Sequence, residues 1–125
     1  MENKFSLVKR FKSFKYAFNG LKTLLLEEHN SRIHLLAAVV AIVAGFYFDI
    51  SDAEWLFVLV AIGGVFAVEL INSAIENLAD MVTTEQHPVI KKVKDLAAGG
   101  VLIVSIMAFV IGLIIFVPKL KVLIG

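Results

Sequence analysis

Apolar and polar positions divide the chain into four stretches. From residue 4 to 28, Leu7, Phe11, Phe14, Phe18, Leu21 and Leu25 recur at spacings of 4, 3, 4, 3 and 4. On a helix that spacing lines one face, while Lys9, Lys12, Lys15, Asn19 and Lys22 mostly take the other. The pattern predicts a surface helix over 4–28, with basic residues toward anionic headgroups and Phe and Leu in the acyl boundary. The same spacing would serve a coiled-coil seam, but bulky Phe over three heptads makes a poor zipper. No long apolar core follows the basic residues directly and no small-residue cleavage site appears, so the segment does not read as a secretory signal.

Three uniformly apolar segments follow, predicting helices over 33–50, 54–82 and 96–117. The last holds 22 residues without a charge, enough at about 1.5 Å per residue to cross a hydrocarbon core of about 30 Å. Ile50 is expected to extend the first span past Asp49, and Pro118 to end the third. The expected architecture is an all-α integral membrane protein, one domain over 1–125, with three transmembrane helices behind an amphipathic surface helix.

The second span is interrupted by Glu69, Asn72, Glu76 and Asp80, which share a helical face about 80° wide. Each ionisable group at membrane depth costs at least ~2.5 kcal/mol on insertion scales, so a partner, a bound ion or chemistry is expected there.

Composition agrees with the spans: 59% of residues are hydrophobic, only two are proline, and mean hydropathy is +0.88. With no cysteine, thiol chemistry is excluded. The net charge of +1 is uninformative, but its distribution is not. Lys4, Lys9, Arg10, Lys12, Lys15, Lys22 and Arg32 precede the first span and Lys91, Lys92 and Lys94 precede the third, against Lys119 and Lys121 at the C-terminal end. Asp49, Asp52 and Glu54 occupy the intervening loop without a cation. This asymmetry predicts a multi-pass membrane protein with a cytoplasmic N-terminus. Trp55 is then an outer-interface anchor, and Glu69 falls about 21 Å further in, short of the cytoplasmic boundary. Glu76 and Asp80 fall at or beyond it. A lipid headgroup reaches Glu69 more easily than a soluble substrate does.

Residue types suggest roles. A lone carboxylate in a partly apolar site, Glu69, suits proton abstraction from a hydroxyl. Glu76, two turns toward water, suits a hard cation, with Glu28 at the end of the surface helix as second carboxylate; Mg²⁺ commonly uses one or two carboxylates plus phosphates and water. Lys94 and Asp95 immediately precede the expected third span, and a Lys beside a helix N-terminus is a phosphate-binding arrangement. His29, His34 and His87 lack mutual metal-ligand spacing. A Walker A or Gly-rich kinase loop is absent, which from motifs alone argues against ATP use. The competing class is non-enzymatic, an ion pathway or an oligomeric scaffold built on the same carboxylates. Against it, the polar groups crowd one leaflet. Ala97, Ala98, Gly99 and Gly100 suit close helix contact, although a lipid chain could use the same groove.

The segment ELINSAIENLAD at Glu69–Asp80 resembles the signature of the prokaryotic diacylglycerol kinase family, as do KDLAAGG at Lys94–Gly100, EEHNSRIH at Glu27–His34 and the basic aromatic N-terminus. The resemblance covers essentially the whole chain and reverses the inference about ATP, because that family builds its nucleotide site without those loops. It implies a homotrimeric lipid kinase of the bacterial cell membrane with sites shared between neighbouring subunits, Mg²⁺ as cofactor, ATP as donor, Arg32, Glu69 and Ala98 toward the lipid, and no nucleic-acid partner. Glu69 would be the base toward the lipid hydroxyl with Asn72 in support, and Glu28 and Glu76 would hold Mg²⁺ with ATP. Lys94 and Asp95 would serve the phosphates, and Lys9, Tyr16, Glu85, Gln86 and His87 would lie near the nucleotide. His87–Pro88, Glu54–Trp55 and IGLIIFVPKL at Ile111–Leu120 look more like the undecaprenol kinase branch, which makes undecaprenol the expected acceptor and diacylglycerol the alternative.

Overall fold

The computed structural model describes residues 4–125 and consists of four helices: α1 (Leu7–Glu27), α2 (His29–Tyr47), α3 (Asp52–Val82) and α4 (Pro88–Ile124). Three of them, α2, α3 and α4, are long and apolar enough to cross a membrane.

Ser6 opens α1, its hydroxyl accepting from the Lys9 N–H. The face carrying Leu7, Phe11, Phe14 and Phe18 is exposed. Only at its C-terminal end does α1 bury a residue, Leu24. Among the described residues the Phe-rich face has no partner, which suits an interfacial helix. Glu28 is extended and separates α1 from α2.

The corner at Glu28 is closed from the far side. Helix ends leave carbonyls without intrahelical partners, and α2 supplies donors for those of α1. Arg32 Nε donates to the Leu25 carbonyl at 2.7 Å and Nη2 to that of Leu26 at 2.5 Å. The fully buried Ser31 places Oγ 3.0 Å from the Leu24 carbonyl oxygen and 2.7 Å from that of Glu28.

At the other end of α2 the expected extension through Ile50 is not found. Asp49 adopts a left-handed conformation at φ 50°, ending the helix, and the Ile50 N–H turns back to the Gly45 carbonyl. Ile50 is buried with Val58 and Ile115 in a small core flanked by Phe48, Trp55 and Phe116. Burial of its side chain against α3 and α4 outweighs continuation of α2. A capping box between Ser51 and Glu54 then starts α3.

The largest departures from expectation concern α4. It starts at Pro88 rather than residue 96, with His87 Nδ1 accepting from the Val89 N–H. Proline at the first helical position is pre-organised, and the Lys91–Asp95 pair at 2.5 Å supports the next turns, so the basic run is helix and not loop. Nor does Pro118 stop α4, which continues to Ile124. Lys119 Nζ donates to the Ile115 carbonyl at 3.0 Å and to Glu54 Oε2 at 2.5 Å, tying the proline-containing turn to α3. At 31 and 37 residues, α3 and α4 measure about 46 and 55 Å, well over a ~30 Å core. Their charged ends therefore project beyond it.

Candidate active site

The projecting end of the α3–α4 hairpin meets the α1–α2 corner, and polar residues gather where they join. Glu69 on α3 is buried, and its Oε1 is paired with His34 Nδ1 of α2. For Glu69 to stand here as an ionised carboxylate, which can only accept, the imidazole must be the tautomer with its hydrogen on Nδ1. Glu69 Oε2 is buried and has no partner among the described residues.

One turn on, Asn72 donates from Nδ2 to Glu76 Oε1 at 3.4 Å, while its Oδ1 is also buried and unpartnered. Ser73, beside it, donates to Glu28 Oε1 at 3.4 Å. Glu28, from the corner between α1 and α2, is thereby brought to the turn of α3 that carries Glu76. A buried acceptor without a partner costs about 1–3 kcal/mol, so two of them, one turn apart and near two carboxylates, mark this place as the candidate binding site among the described residues.

The donor set suits Mg²⁺. Among the described residues no cluster of three or more acidic, His or Cys ligands forms, so no all-protein cage exists. Two carboxylates with the open Asn72 Oδ1 alongside match a cation that completes its shell with phosphate oxygens and water.

Beyond Glu76 the ladder continues to Asp80, whose Oδ1 accepts from Lys94 Nζ at 2.6 Å. Lys94 therefore faces α3 and the acidic ladder. Its position relative to the helix end is corrected, however: α4 begins at Pro88, so Lys94 and Asp95 lie about two turns inside, where backbone N–H groups are spent within the helix. Charge remains as the argument for Lys94, and helix-terminal donors do not. Asp95 points elsewhere, pairing with Lys91 and lining a shallow hollow with Pro88, Leu96, Gly99 and Gly100 on the outer face of α4. Ala98 is exposed on α4, and Glu85, Gln86 and His87 are exposed in the α3–α4 connection. Arg32 is engaged in the α1–α2 corner. Lys9 and Tyr16 are exposed on α1, at about 28 and 18 Å of helix rise from Glu28, so the subunit does not bring Lys9 to the acidic cluster.

Two contributors were missed by sequence reasoning. His34 was weighed only as a zinc ligand; the signal available was a polar residue opening an apolar span, which calls for a partner. Ser73 lies within the ELINSAIENLAD segment that carries the resemblance, and no role follows from that alone.

His34 also stands at one end of an apolar groove of about 690 Å³ between α2, α3 and α4, which reaches Phe48, Phe116 and Leu120 at the other. Its one other polar group is Ser105, whose hydroxyl is buried without a partner.

Residues 15–116 match the family model described as prokaryotic diacylglycerol kinase. The chain is 41% identical over 88% of its length to an undecaprenol kinase of Bacillus subtilis, covering 89% of that protein. A diacylglycerol kinase of Helicobacter pylori is 38% identical over 74% of the chain and 73% of its own. The diacylglycerol kinase of Escherichia coli K12 is 28% identical over 79% and 81%.

Proposed function

From the premise that the chain belongs to the prokaryotic diacylglycerol kinase family and is a membrane lipid kinase, we propose that it transfers the γ-phosphate of ATP to the hydroxyl of undecaprenol. The observation that carries the reading is the pair of buried, unpartnered oxygens, Glu69 Oε2 and Asn72 Oδ1, beside the Glu28 and Glu76 carboxylates. The choice of lipid draws support from the 41% identity to the Bacillus enzyme and from the apolar groove that begins at His34, which offers hydrocarbon surface next to the proposed base.

In this mechanism the lipid hydroxyl approaches Glu69 Oε2, which takes its proton as the oxygen attacks the γ-phosphorus. The new O–P bond forms while the bond from phosphorus to the β,γ-bridging oxygen breaks, and ADP leaves with that electron pair. Glu28 and Glu76 would hold Mg²⁺, which when bound neutralises charge developing on the phosphates. Lys94 adds a cation one turn beyond. Catalysis is then chiefly positioning plus electrostatics.

The orientation proposed is N-terminus cytoplasmic, the side that supplies ATP. The assembly proposed is a homotrimer with shared sites. The separation of Lys9 from Glu28 along α1 favours sharing, because a nucleotide contact from Lys9 is then made to a neighbouring subunit's site.

The deciding experiment is a parallel assay with Mg-ATP and either undecaprenol or diacylglycerol in the same mixed micelles. Higher kcat/KM on undecaprenol is expected. Faster phosphorylation of diacylglycerol would overturn the choice of lipid and leave the kinase intact.

A further inference from the structure

Among the polar groups of the spans, His34 alone contacts the proposed base, and the phosphoryl-transfer scheme gives it no task. The match of α2 to α3 is regular. Glu28 and His34 are six residues apart, about 9 Å of rise, while Glu76 and Glu69 are seven apart, about 10 Å. Running antiparallel, the two elements bring Glu28 to the turn of Ser73 and Glu76, and His34 to Glu69. The corner held by Ser31 and Arg32 sets both at once.

We infer that His34 is the positioning residue of the base: its Nδ1–H occupies Glu69 Oε1 and turns Oε2 toward the acceptor hydroxyl. Three observations support it. Glu69 is buried where no other described side chain bonds to its carboxylate. One of its oxygens is taken by His34 and the other is open. The imidazole borders the apolar groove, so the lipid arrives on the side where the pair lies. Without Nδ1–H, either oxygen of Glu69 could turn toward the hydroxyl, and the carboxylate would be free to rotate away from it. A fixed second partner that orients the proton acceptor is the general arrangement of activated bases. His34 acts through Glu69 and is not itself assigned contact with the reacting atoms.

The inference rests on Glu69 being the proton acceptor, and the test separates the two. Full-length His34→Leu, His34→Asn and Glu69→Gln proteins are compared in mixed micelles with Mg-ATP and undecaprenol, reading kcat, KM and thermal melting. Asn places an amide N–H near the position of Nδ1, and Leu places none. His34→Leu is expected to lose kcat by about tenfold or more with KM for ATP unchanged, as removal of a hydrogen bond to a charged group does. His34→Asn is expected to recover most of it. Should His34→Leu fail to fold, His34→Ser, polar but too short to reach Glu69, takes its place with the same expected loss. Equal depression by Asn and Leu, a loss confined to KM, or wild-type kcat in His34→Leu would each overturn the positioning role. If Glu69→Gln is inactive in the same assay, only the role of His34 has failed; if Glu69→Gln turns over normally, the base assignment has failed instead.

Discussion

Lys94 of α4 donates to Asp80 of α3 at 2.6 Å, so the cation that would serve the phosphates is held against the carboxylate ladder one turn beyond Glu76. Both side chains are partly solvated, and such pairs contribute about 1 kcal/mol or less to stability. Asp80→Asn is therefore expected to shift the melting temperature little and leave kcat/KM within about threefold of wild type. Lys94→Met removes a charge from the nucleotide and is expected to raise KM for ATP about tenfold or more. Equal kinetic damage from the two substitutions would assign the pair a structural role only.

Glu28, from the corner between α1 and α2, meets the turn of α3 that carries Glu76, and the metal role proposed for the two can be isolated by titration. Glu76→Gln keeps the side chain's size and its contact with Asn72 while removing charge. The half-saturating Mg²⁺ concentration is expected to rise about tenfold, with folding unchanged by circular dichroism. Glu28→Gln should do the same. An unaltered Mg²⁺ titration in both variants would remove these residues from the metal site.

The corner that carries Glu28 depends on Ser31, which is buried and bonded within its own neighbourhood. Ser31→Ala removes the single hydroxyl donor shared between the Leu24 and Glu28 carbonyls, and because Leu24 keeps the Glu28 N–H the cost is that of one hydrogen bond, about 0.5–1.5 kcal/mol. A lower melting temperature is expected together with a weaker response to Mg²⁺, because Glu28 moves with the corner. Loss of stability with an unchanged Mg²⁺ titration would separate the corner from the metal site.

Periodicity located the elements because each is defined by a face or by bulk hydrophobicity. The 4/3 repeat of Leu7 to Leu25 corresponds to α1, and the apolar run from Trp55 with its polar stripe corresponds to α3. The stripe itself could be read because four polar groups on one face of an apolar helix need a reason to be there. The ends were read less well. Hydropathy places the start of a span where charge stops, yet α4 starts where Pro88 and His87 supply helix-start chemistry, eight residues earlier. Pro118 was weighted as a stop because the contact between Lys119 and Glu54, which lie 65 residues apart in the chain, leaves no local trace. The partnership of His34 with Glu69 was hidden for the same reason: a hydrogen bond 35 residues apart in sequence is a property of packing.

Far from the proposed chemistry, Gly45 provides a test of the α2–α3 turn with its own reporter. A Cβ added there would lie 2.6 and 2.8 Å from carbons of the Trp55 ring and 3.1 Å from Ile50 Cδ1. Trp55 packs on Phe46, with ring centroids 4.9 Å apart, and Ile50 is buried in the small core, so the added methyl requires the Trp55 ring to shift out of that contact. Overpacking of this kind costs about 1–3 kcal/mol. Gly45→Ala should therefore melt at a lower temperature, and because Trp55 is the single tryptophan in the chain, its emission should report the displaced ring directly. Gly20→Ala is the control, since a Cβ at that exposed helical position meets nothing within 4 Å and gains about 0.5–1 kcal/mol from helix propensity. The clash is at the opposite end of α2 from His34, so folded Gly45→Ala protein should keep kcat within about twofold of wild type. Unchanged melting and emission would show that the Gly45–Trp55 approach is looser than the structure has it. A large loss of kcat in folded protein would show instead that the turn is coupled along α2 to the Glu69–His34 pair.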